Sequence, residues 1–574
     1  MPLKLDNGQC AEWSVRKIGV IGPGIVGMPM AALLADARLK EGSDEPAKVV
    51  VVQRNSKTSG WKVDAINEGR SVIGGVEPGL DKIVNETVAE GILSASHDYS
   101  VLSDADVVLV SVQTDKKGVD PDYGPLFGAL EHLAEALSKK PEGNIPIVCF
   151  ESTLAPSSMA TVVREHFAKY GLEEGKDILL GNSPNRVMPG RLVERVASAD
   201  KLVAGLHPVT PQLISKLYSR IVTNGELHQT NSMTAEVVKT LENAYRDVRI
   251  AFATEIVRYC DANDISFYAV RDAVNERIAQ SDDASASATA VPIGGILVPM
   301  IGVGGHCLPK DGVLLWWRKI RSGADTSNSL ILNSREINDD SPAETIAMAE
   351  KKIGSVDGKK IALLGTAYRF DSEDTRNSPT LATARLLLDK GCDITIHDPY
   401  VKKSDQNLER FELTEYFTND LGEALADAEV VVFCTGHGVY QHGLDDILKR
   451  APNLQAIVDG ANLYNESDID GPVYVGIGRG SQPPSEEFLD FVEQSFRVME
   501  HGTANEVQAL IDFLNVNYSN SEFNNVELSV VQRLGSTCAT GCDIADTKSP
   551  LDAPSYDGFS CVLTQCASRE AMEK

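Results

Sequence analysis

One thiol has the setting of a nucleophile. Cys307 lies in Gly302-Val303-Gly304-Gly305-His306-Cys307-Leu308-Pro309-Lys310-Asp311, in flexible backbone with three titratable neighbours. The thiolate is the reactive form of cysteine, and a nearby lysine or protonated histidine favours it, so His306 and Lys310 suit Cys307 to attack an electrophile. A buried structural cysteine in a loop is the alternative. Upstream, Lys239 and Asn243 stand four residues apart in a stretch of helical periodicity and share one helix face. A cation and an amide donor converging on a developing alkoxide would each stabilise it by about 2.7–4 kcal/mol. A solvated lysine beside a surface asparagine is the other reading.

Gly22-x-Gly24-x-x-Gly27 follows an apolar run at 18–21 and leads into helix-forming residues. In that context the glycines permit a tight turn and close approach to a pyrophosphate, whose charge meets the positive end of the helix. A carboxylate ordinarily ends the second strand and bonds the ribose hydroxyls. Here residues 49–52 run into Gln53-Arg54-Asn55 instead. Gln53 suits a ribose hydroxyl and Arg54 a 2′-phosphate, so NAD is the expected cofactor while NADP stays open. The cofactor set is Gly22, Gly24, Ile25, Val26, Gly27, Gln53, Arg54, Gln113, Thr114 and Thr153. No metal is expected, because Cys538, Cys542, Cys561 and Cys566 lack paired ligand spacing.

Buried strands must carry these groups. Nearly uninterrupted apolar runs at 18–21, 49–52, 107–112, 147–150 and 178–181 read as parallel strands covered on both faces. Residues 234–274 change to helical spacing. Near Lys359 the strand–helix alternation restarts, with runs at 361–364, 394–396 and 430–433. Asp427-Ala428-Glu429-Val430-Val431 repeats the acidic turn and strand of Asp104-Ala105-Asp106-Val107-Val108. The expected fold is α/β, with two Rossmann-like doubly wound parallel-sheet domains joined by a long central helix and a helical middle domain. The expected boundaries are an extension at 1–15, a dinucleotide-binding domain at 16–212, a helical domain with the Cys307 loop at 213–330, and a second sheet at 331–480. An acidic tail at 481–574 is expected to be partly ordered at most.

The chain has 574 residues, which calls for several domains. Lys plus Arg of 54 against Asp plus Glu of 82 gives −28, a field that repels nucleic acid and anionic membranes. No secretory signal opens the sequence, and the apolar run at 290–303 is broken by Pro292, Gly294, Gly295, Pro299 and Gly302. Ten cysteines without dense regular spacing fit a reducing compartment. A soluble cytoplasmic protein without a membrane or nucleic-acid partner is therefore expected.

Taken in order along the chain, the motifs resemble the UDP-glucose/GDP-mannose dehydrogenase family, in particular its UDP-N-acetylglucosamine and UDP-N-acetylmannosamine branch. They are Gly22-Pro23-Gly24-Ile25-Val26-Gly27; Glu151-Ser152-Thr153; Thr234-Ala235-Glu236-Val237-Val238-Lys239 with Glu242-Asn243; Gly304 to Asp311; and Gly365-Thr366-Ala367-Tyr368-Arg369 with Asp374-Thr375-Arg376-Asn377-Ser378-Pro379. The resemblance implies an NAD-dependent, four-electron oxidation of a UDP-sugar C6 alcohol to a carboxylate, with Cys307 holding first a thiohemiacetal and then a thioester. Lys239 and Asn243 would stabilise the oxyanions, Asp311 would orient water or Lys239, and Thr153 would position water or sugar. The resemblance places UDP-sugar binding mainly on the second sheet. It makes Asn185, Arg186, Lys239, Asn243, Arg277, Gly304, Arg369 and Arg376 the substrate-binding set. It also implies a homodimer or higher oligomer through the central helix, whose long apolar stripe calls for a partner.

Two positions depart from the family pattern, since Asn185 and Asn377 stand where glutamate is common. The glutamate at the first position is associated with thioester hydrolysis, so a slowed last step and an accumulating acyl-enzyme are expected. His306 resembles the branch that acts on N-acetylhexosamines, with UDP-glucose as the runner-up. A catalytically silent nucleotide-sugar binder on the same scaffold is the alternative of another class, and retention of Cys307, Lys239, Asn243 and Asp311 together argues against it. A two-domain hydroxyacid dehydrogenase has no use for a second nucleotide-like sheet.

Overall fold

The structure is a computed structural model that describes residues 2–4, 10–74, 77–185, 187, 190–281, 295–534 and 552–568. The chain forms two compact units. The first comprises Met1–Leu241, Leu314–Ser322 and Ala509–Ser536, and the second Glu242–Val313, Gly323–Gln508 and Thr537–Lys574.

The first unit is built on an eight-stranded sheet. Its strands are β1 (Lys17–Ile21), β2 (Lys48–Val52), β3 (Leu93–Ser96), β4 (Val107–Val110), β5 (Ile147–Phe150), β6 (Leu179–Asn182), β7 (Lys201–Gly205) and β8 (Leu227–Asn231), in spatial order β8-β7-β6-β5-β4-β1-β2-β3. All neighbours are parallel except β6 and β7. Every residue of β4, β5 and β6 is buried, as a sheet covered on both faces requires. The Leu-Ser-Ala-Ser sequence of β3 lacks the apolar run that marks the inner strands because it lies at an edge. The sheet also runs past the boundary expected at residue 212, since β8 ends at Asn231.

The second unit repeats the plan. Strands β9 (Lys360–Leu364), β10 (Asp393–His397), β11 (Phe417–Thr418), β12 (Val430–Phe433), β13 (Ala456–Asp459) and β14 (Val473–Gly476) form an all-parallel sheet in the order β11-β10-β9-β12-β13-β14. The first six strands of the first sheet have the same third-second-first-fourth-fifth-sixth order. The echo visible in the sequence is thus a repeated topology, and in such sheets ligands collect at the carboxyl ends where the strand order reverses.

The central helix α1 (Ser232–Ala262) is followed by α2 (Phe267–Ser281), α3 (Leu308–Arg321), α4 (Leu330–Ile353) and α5 (Glu486–Tyr518). The expectation of a loosely ordered tail after residue 480 fails here, because α5 is 33 residues long and lays a buried stripe of Phe488, Phe491, Val492, Phe496 and Met499 on its neighbours. Within the second unit its partner is α1. Phe252 meets Phe496 edge-on at 5.6 Å, and Tyr259 stacks on Phe488 at 5.1 Å and on Phe559 at 4.5 Å. The Glu255 carboxylate accepts from the Val562 and Leu563 N–H groups at 2.6 and 3.1 Å. The apolar stripe that was expected to need a second copy of the chain is therefore largely covered by the chain itself. Polar residues around α5 and in the segment after it hid that stripe in the composition. Cys561 and Cys566 are buried in this cover, while Cys538 and Cys542 fall outside the described residues.

Candidate active site

In the first unit β1 delivers the chain into a turn where the Gly22 N–H donates to Val52 O at 3.1 Å and the Gly24 N–H to Gly22 O at 2.9 Å. Gly22 has φ +87°, and a Cβ there would stand 2.6 Å from Ser111 O. A Cβ on Gly24 would meet nothing within 4 Å, so that face of the turn lies open. A ten-residue helix begins at Gly27 directly after this turn, without a side-chain cap, so the positive end of its dipole adjoins the glycine segment. This cradle fits a dinucleotide pyrophosphate, with Ile25 exposed and Val26 half-buried at its rim. Gln53 and Arg54 follow β2, and Gln113 is exposed just past β4. Thr114 is buried, and its hydroxyl donates to Thr153 O at 2.7 Å, which fixes the ends of two neighbouring strands.

Glu151, at the end of β5, is the hub of a buried polar cluster. Its Oε2 accepts from Lys201 Nζ at 2.8 Å and from Asn185 Nδ2, and its Oε1 accepts from the Tyr218 hydroxyl. The Lys201 ammonium also donates to Ser183 O at 3.0 Å. Burial drives the neighbouring Cys149 thiol well above its ordinary range. Lys201 and two further donors thus engage both carboxylate oxygens of Glu151. A glutamate at 185 would set a second carboxylate against it, whereas the Asn185 amide donates. Lys201 and Tyr218 escaped the sequence reading. The available signal was a carboxylate at the end of a fully apolar strand, which demands partners.

Glu236 on α1 accepts from the Ser157 and Met159 N–H groups, both at 2.8 Å. Burial pushes its carboxyl from 4.5 up to about 8, against the pull of those two donors and of Arg318. A folded-state value above the unfolded one contributes stability that is complete below about 4.5 and is lost as the pH rises through about 8. Wild type is therefore expected to lose stability relative to Glu236→Gln by roughly 1.4 kcal/mol per pH unit across that window. Urea unfolding of both proteins at several pH values reads the difference, and a pH-independent gap contradicts it.

In the second unit Asn243 Nδ2 donates to Asp311 Oδ2 at 2.6 Å, and Lys310 Nζ donates to Asp311 Oδ1. The Lys310 and Asp311 side chains are 2% and 0% exposed, so this pair is sealed. The ammonium expected to serve Cys307 is thus bonded to Asp311. Asn243 is half-buried, and Lys239 stands one turn earlier on α1, also half-buried.

Cys307 immediately precedes α3, and its carbonyl accepts the Lys310 and Asp311 N–H groups at 3.1 and 3.0 Å. Cys307 is half-buried, whereas Cys149, Cys260, Cys392, Cys434, Cys561 and Cys566 are buried. The positive end of a 14-residue helix favours a thiolate there, a feature the sequence reading did not use. The loop before it is pinned to the second sheet. Gly305 N donates to Arg376 O at 2.8 Å, Asn377 Nδ2 donates to Gly305 O at 2.9 Å, and a Cβ on Gly304 would stand 2.5 Å from Tyr368 Cβ. Asn377 adopts φ +48°, which asparagine tolerates, and its amide donates where a glutamate could not. That accounts for the second departure.

The arginines divide. Arg277, expected to touch the sugar, is tied to α5 through Asp490 at 2.7 Å and Glu486 at 2.5 Å. Arg376 is bonded to Asp374 at 2.6 Å, which raises its basicity, and it also feels the charge of Cys307. Arg369 lies over the exposed Phe370 ring at 5.3 Å. Arg186 lies outside the described residues. Asp398 after β10 is a functional candidate the sequence reading missed, although a carboxylate just past a second strand was the available signal. It accepts from the Thr366 and Ala367 N–H groups at 2.7 and 2.9 Å and from His437 Nε2 at 3.0 Å. Burial would raise it, but His437 and the backbone donors outweigh burial and hold it below its ordinary value. It therefore shapes the turn after β9.

Three family models match the chain. They are the NAD binding domain of the UDP-glucose/GDP-mannose dehydrogenase family over residues 16–222, its central domain over 233–340, and its UDP binding domain over 362–466. A UDP-N-acetyl-D-mannosamine dehydrogenase of Pyrococcus horikoshii is 30% identical over 468 residues, covering 81% of this chain and 99% of its own. An NDP-N-acetyl-D-galactosaminuronic acid dehydrogenase of Ralstonia solanacearum is 29% identical, covering 74% and 92%. The crystal structure of an NDP-N-acetyl-D-galactosaminuronic acid dehydrogenase from Methanosarcina mazei Go1 superposes with a TM-score of 0.68 at 32% identity, covering 81% of this chain and 96% of that one. Among the described residues, no helix is long and apolar enough to cross a membrane.

Proposed function

We propose, since this chain belongs to the UDP-glucose/GDP-mannose dehydrogenase family and is an NAD-dependent nucleotide-sugar dehydrogenase, that its substrate is a UDP-N-acetylhexosamine oxidised at C6 through Cys307. The observation that carries the chemistry is the half-exposed Cys307 at the start of α3. NAD supplies the acceptor for the two hydrides that leave C6. Between those departures the Cys307 thiolate adds to the aldehyde carbon, forming a C–S bond while the carbonyl electron pair moves to oxygen. Lys239 and Asn243 stabilise that oxyanion, and Asp311 holds Asn243 by its amide. Loss of the second hydride leaves a thioester on Cys307. Water then cleaves it, releasing the carboxylate and restoring the thiol. Thr153 positions that water or the sugar. Arg369 and Arg376 serve the nucleotide or its loop.

Asn185 bears on the last step. Its amide is spent on Glu151, and neither residue offers a base to the water, so thioester cleavage is the slow step and the acyl-enzyme accumulates. The N-acetylated substrates for which the relatives in Pyrococcus horikoshii and Ralstonia solanacearum are named support an N-acetylated sugar, as does His306 before the thiol. A panel of UDP-N-acetylhexosamines and UDP-glucose, read by NADH absorbance, tests the assignment. Two NADH per sugar are expected with an N-acetylated member, and the same reactions weighed as intact protein should carry the acyl adduct. Turnover of UDP-glucose alone reverses the choice of sugar. Binding without NADH from any sugar favours the silent binder.

A further inference from the structure

The end of β2 lacks the carboxylate that holds an unphosphorylated ribose and repels a phosphorylated one. Gln53 does not replace it. Its side-chain amide nitrogen donates to Ser59 Oγ at 2.9 Å and to Arg54 O at 3.3 Å, while its backbone carbonyl meets His97 Nδ1 at 2.8 Å. The side chain is folded back into its own loop, and the next residue, Arg54, is the exposed group at this edge.

Beside it lies a surface cavity of about 380 Å³ whose walls include Arg54, His97, Tyr99, Ser100, His132 and Lys139. Burial raises the Tyr99 phenol, and the charge of Arg54 partly offsets that rise, which sets the guanidinium at the cavity wall. Among the described residues neither Arg54 nor Lys139 has a carboxylate within ion-pair distance. Two carboxylates also line the cavity, and both are engaged. The oxygens of Asp98 accept from the Ser100 N–H and hydroxyl at 2.8 and 2.5 Å, and Glu135 faces His132 Nδ1 at 3.9 Å. An unpaired guanidinium is the group best shaped to bind a phosphate monoester by two parallel hydrogen bonds.

The geometry points to a subsite for the adenosine 2′-phosphate, with Arg54 as its anchor and Lys139 as a second cation, so that the chain uses NADP as well as NAD. This rests on the dinucleotide site of the first unit and goes beyond the family's NAD assignment. Calorimetry with adenosine 2′,5′-bisphosphate and with 5′-AMP tests it without any sugar. The bisphosphate is expected to bind at least tenfold more tightly, and Arg54→Ala to bring the two ligands within about twofold of each other. Because Arg54 is exposed, that variant should fold, and a thermal melt checks it; Lys139→Ala, which should lower the preference about threefold, provides a second reading. In steady-state assays the NADP/NAD ratio of kcat/KM should exceed about 0.1 and fall at least tenfold in Arg54→Ala and in Gln53→Asp. A bisphosphate preference below threefold, or one that survives Arg54→Ala, overturns the subsite. Either result leaves the dehydrogenase reading standing, because NAD turnover is measured separately.

Discussion

Cys307→Ala should abolish the four-electron oxidation, lowering carboxylate formation by roughly 10³-fold or more, because no other group in the scheme holds the C6 aldehyde covalently. The effect should fall on chemistry and leave affinity near that of wild type, since the nucleotide is assigned mainly to the loops of the second sheet. Cys307 occupies a loop pinned at Gly305 by Arg376 and Asn377, and alanine disturbs neither bond, as both run through the backbone of Gly305. Product analysis should therefore find no carboxylate, at most one NADH per sugar, and no adduct on the intact protein, while calorimetry still detects the UDP-sugar. Carboxylate production at more than a tenth of the wild-type rate would remove the thiol from the mechanism, and with it the explanation of why a half-exposed cysteine stands at a helix start.

The largest expected loss of stability comes from the helix that the composition disguised. Phe488 is 0% exposed, and its ring lies 5.1 Å from Tyr259, 5.1 Å from Tyr556 and 6.0 Å from Phe491. Phe488→Ala removes the centre of that cluster and leaves a cavity that α1 and α5 cannot close, because both are fixed along their length by other contacts. The expected cost is about 3–5 kcal/mol. A weakly attached tail would lose no more than about 0.5 kcal/mol from the same change. Denaturant unfolding of the full chain separates these outcomes. A shift at the lower value would mean that α5 contributes little to the second unit.

The dinucleotide turn, the two sheets and the thiol loop were legible in the sequence because each is local. A glycine spacing, a run of β-branched residues or a helix face is complete within a few residues, and backbone sterics alone turn it into structure. The second sheet was legible for the same reason, since its strands repeat the runs of the first. Pairings between distant residues were not legible. Asn185 was seen as a lost carboxylate, but its engagement with Glu151 across 34 positions depends on β5 and β6 being neighbours. Asn377 had no assigned consequence until its loop met Gly305, 72 positions away.

The sequence by itself determined which segments become strands and helices, and it singled out the glycine turn as the candidate pyrophosphate site and Cys307 as the candidate nucleophile. Tertiary structure alone decided what each polar side chain is used for. It turned Arg277 from the sugar to Asp490, 213 positions on, and brought Asn243 to Asp311, 68 positions on. It also laid helix α5 of the same chain against α1 at Phe252 and Tyr259, on the helix whose stripe had called for a second subunit. The reason is physical: a charge or an apolar face must find a partner when it leaves water, yet its own sequence neighbourhood specifies only that need. Which partner meets it depends on the topology that brings distant segments together.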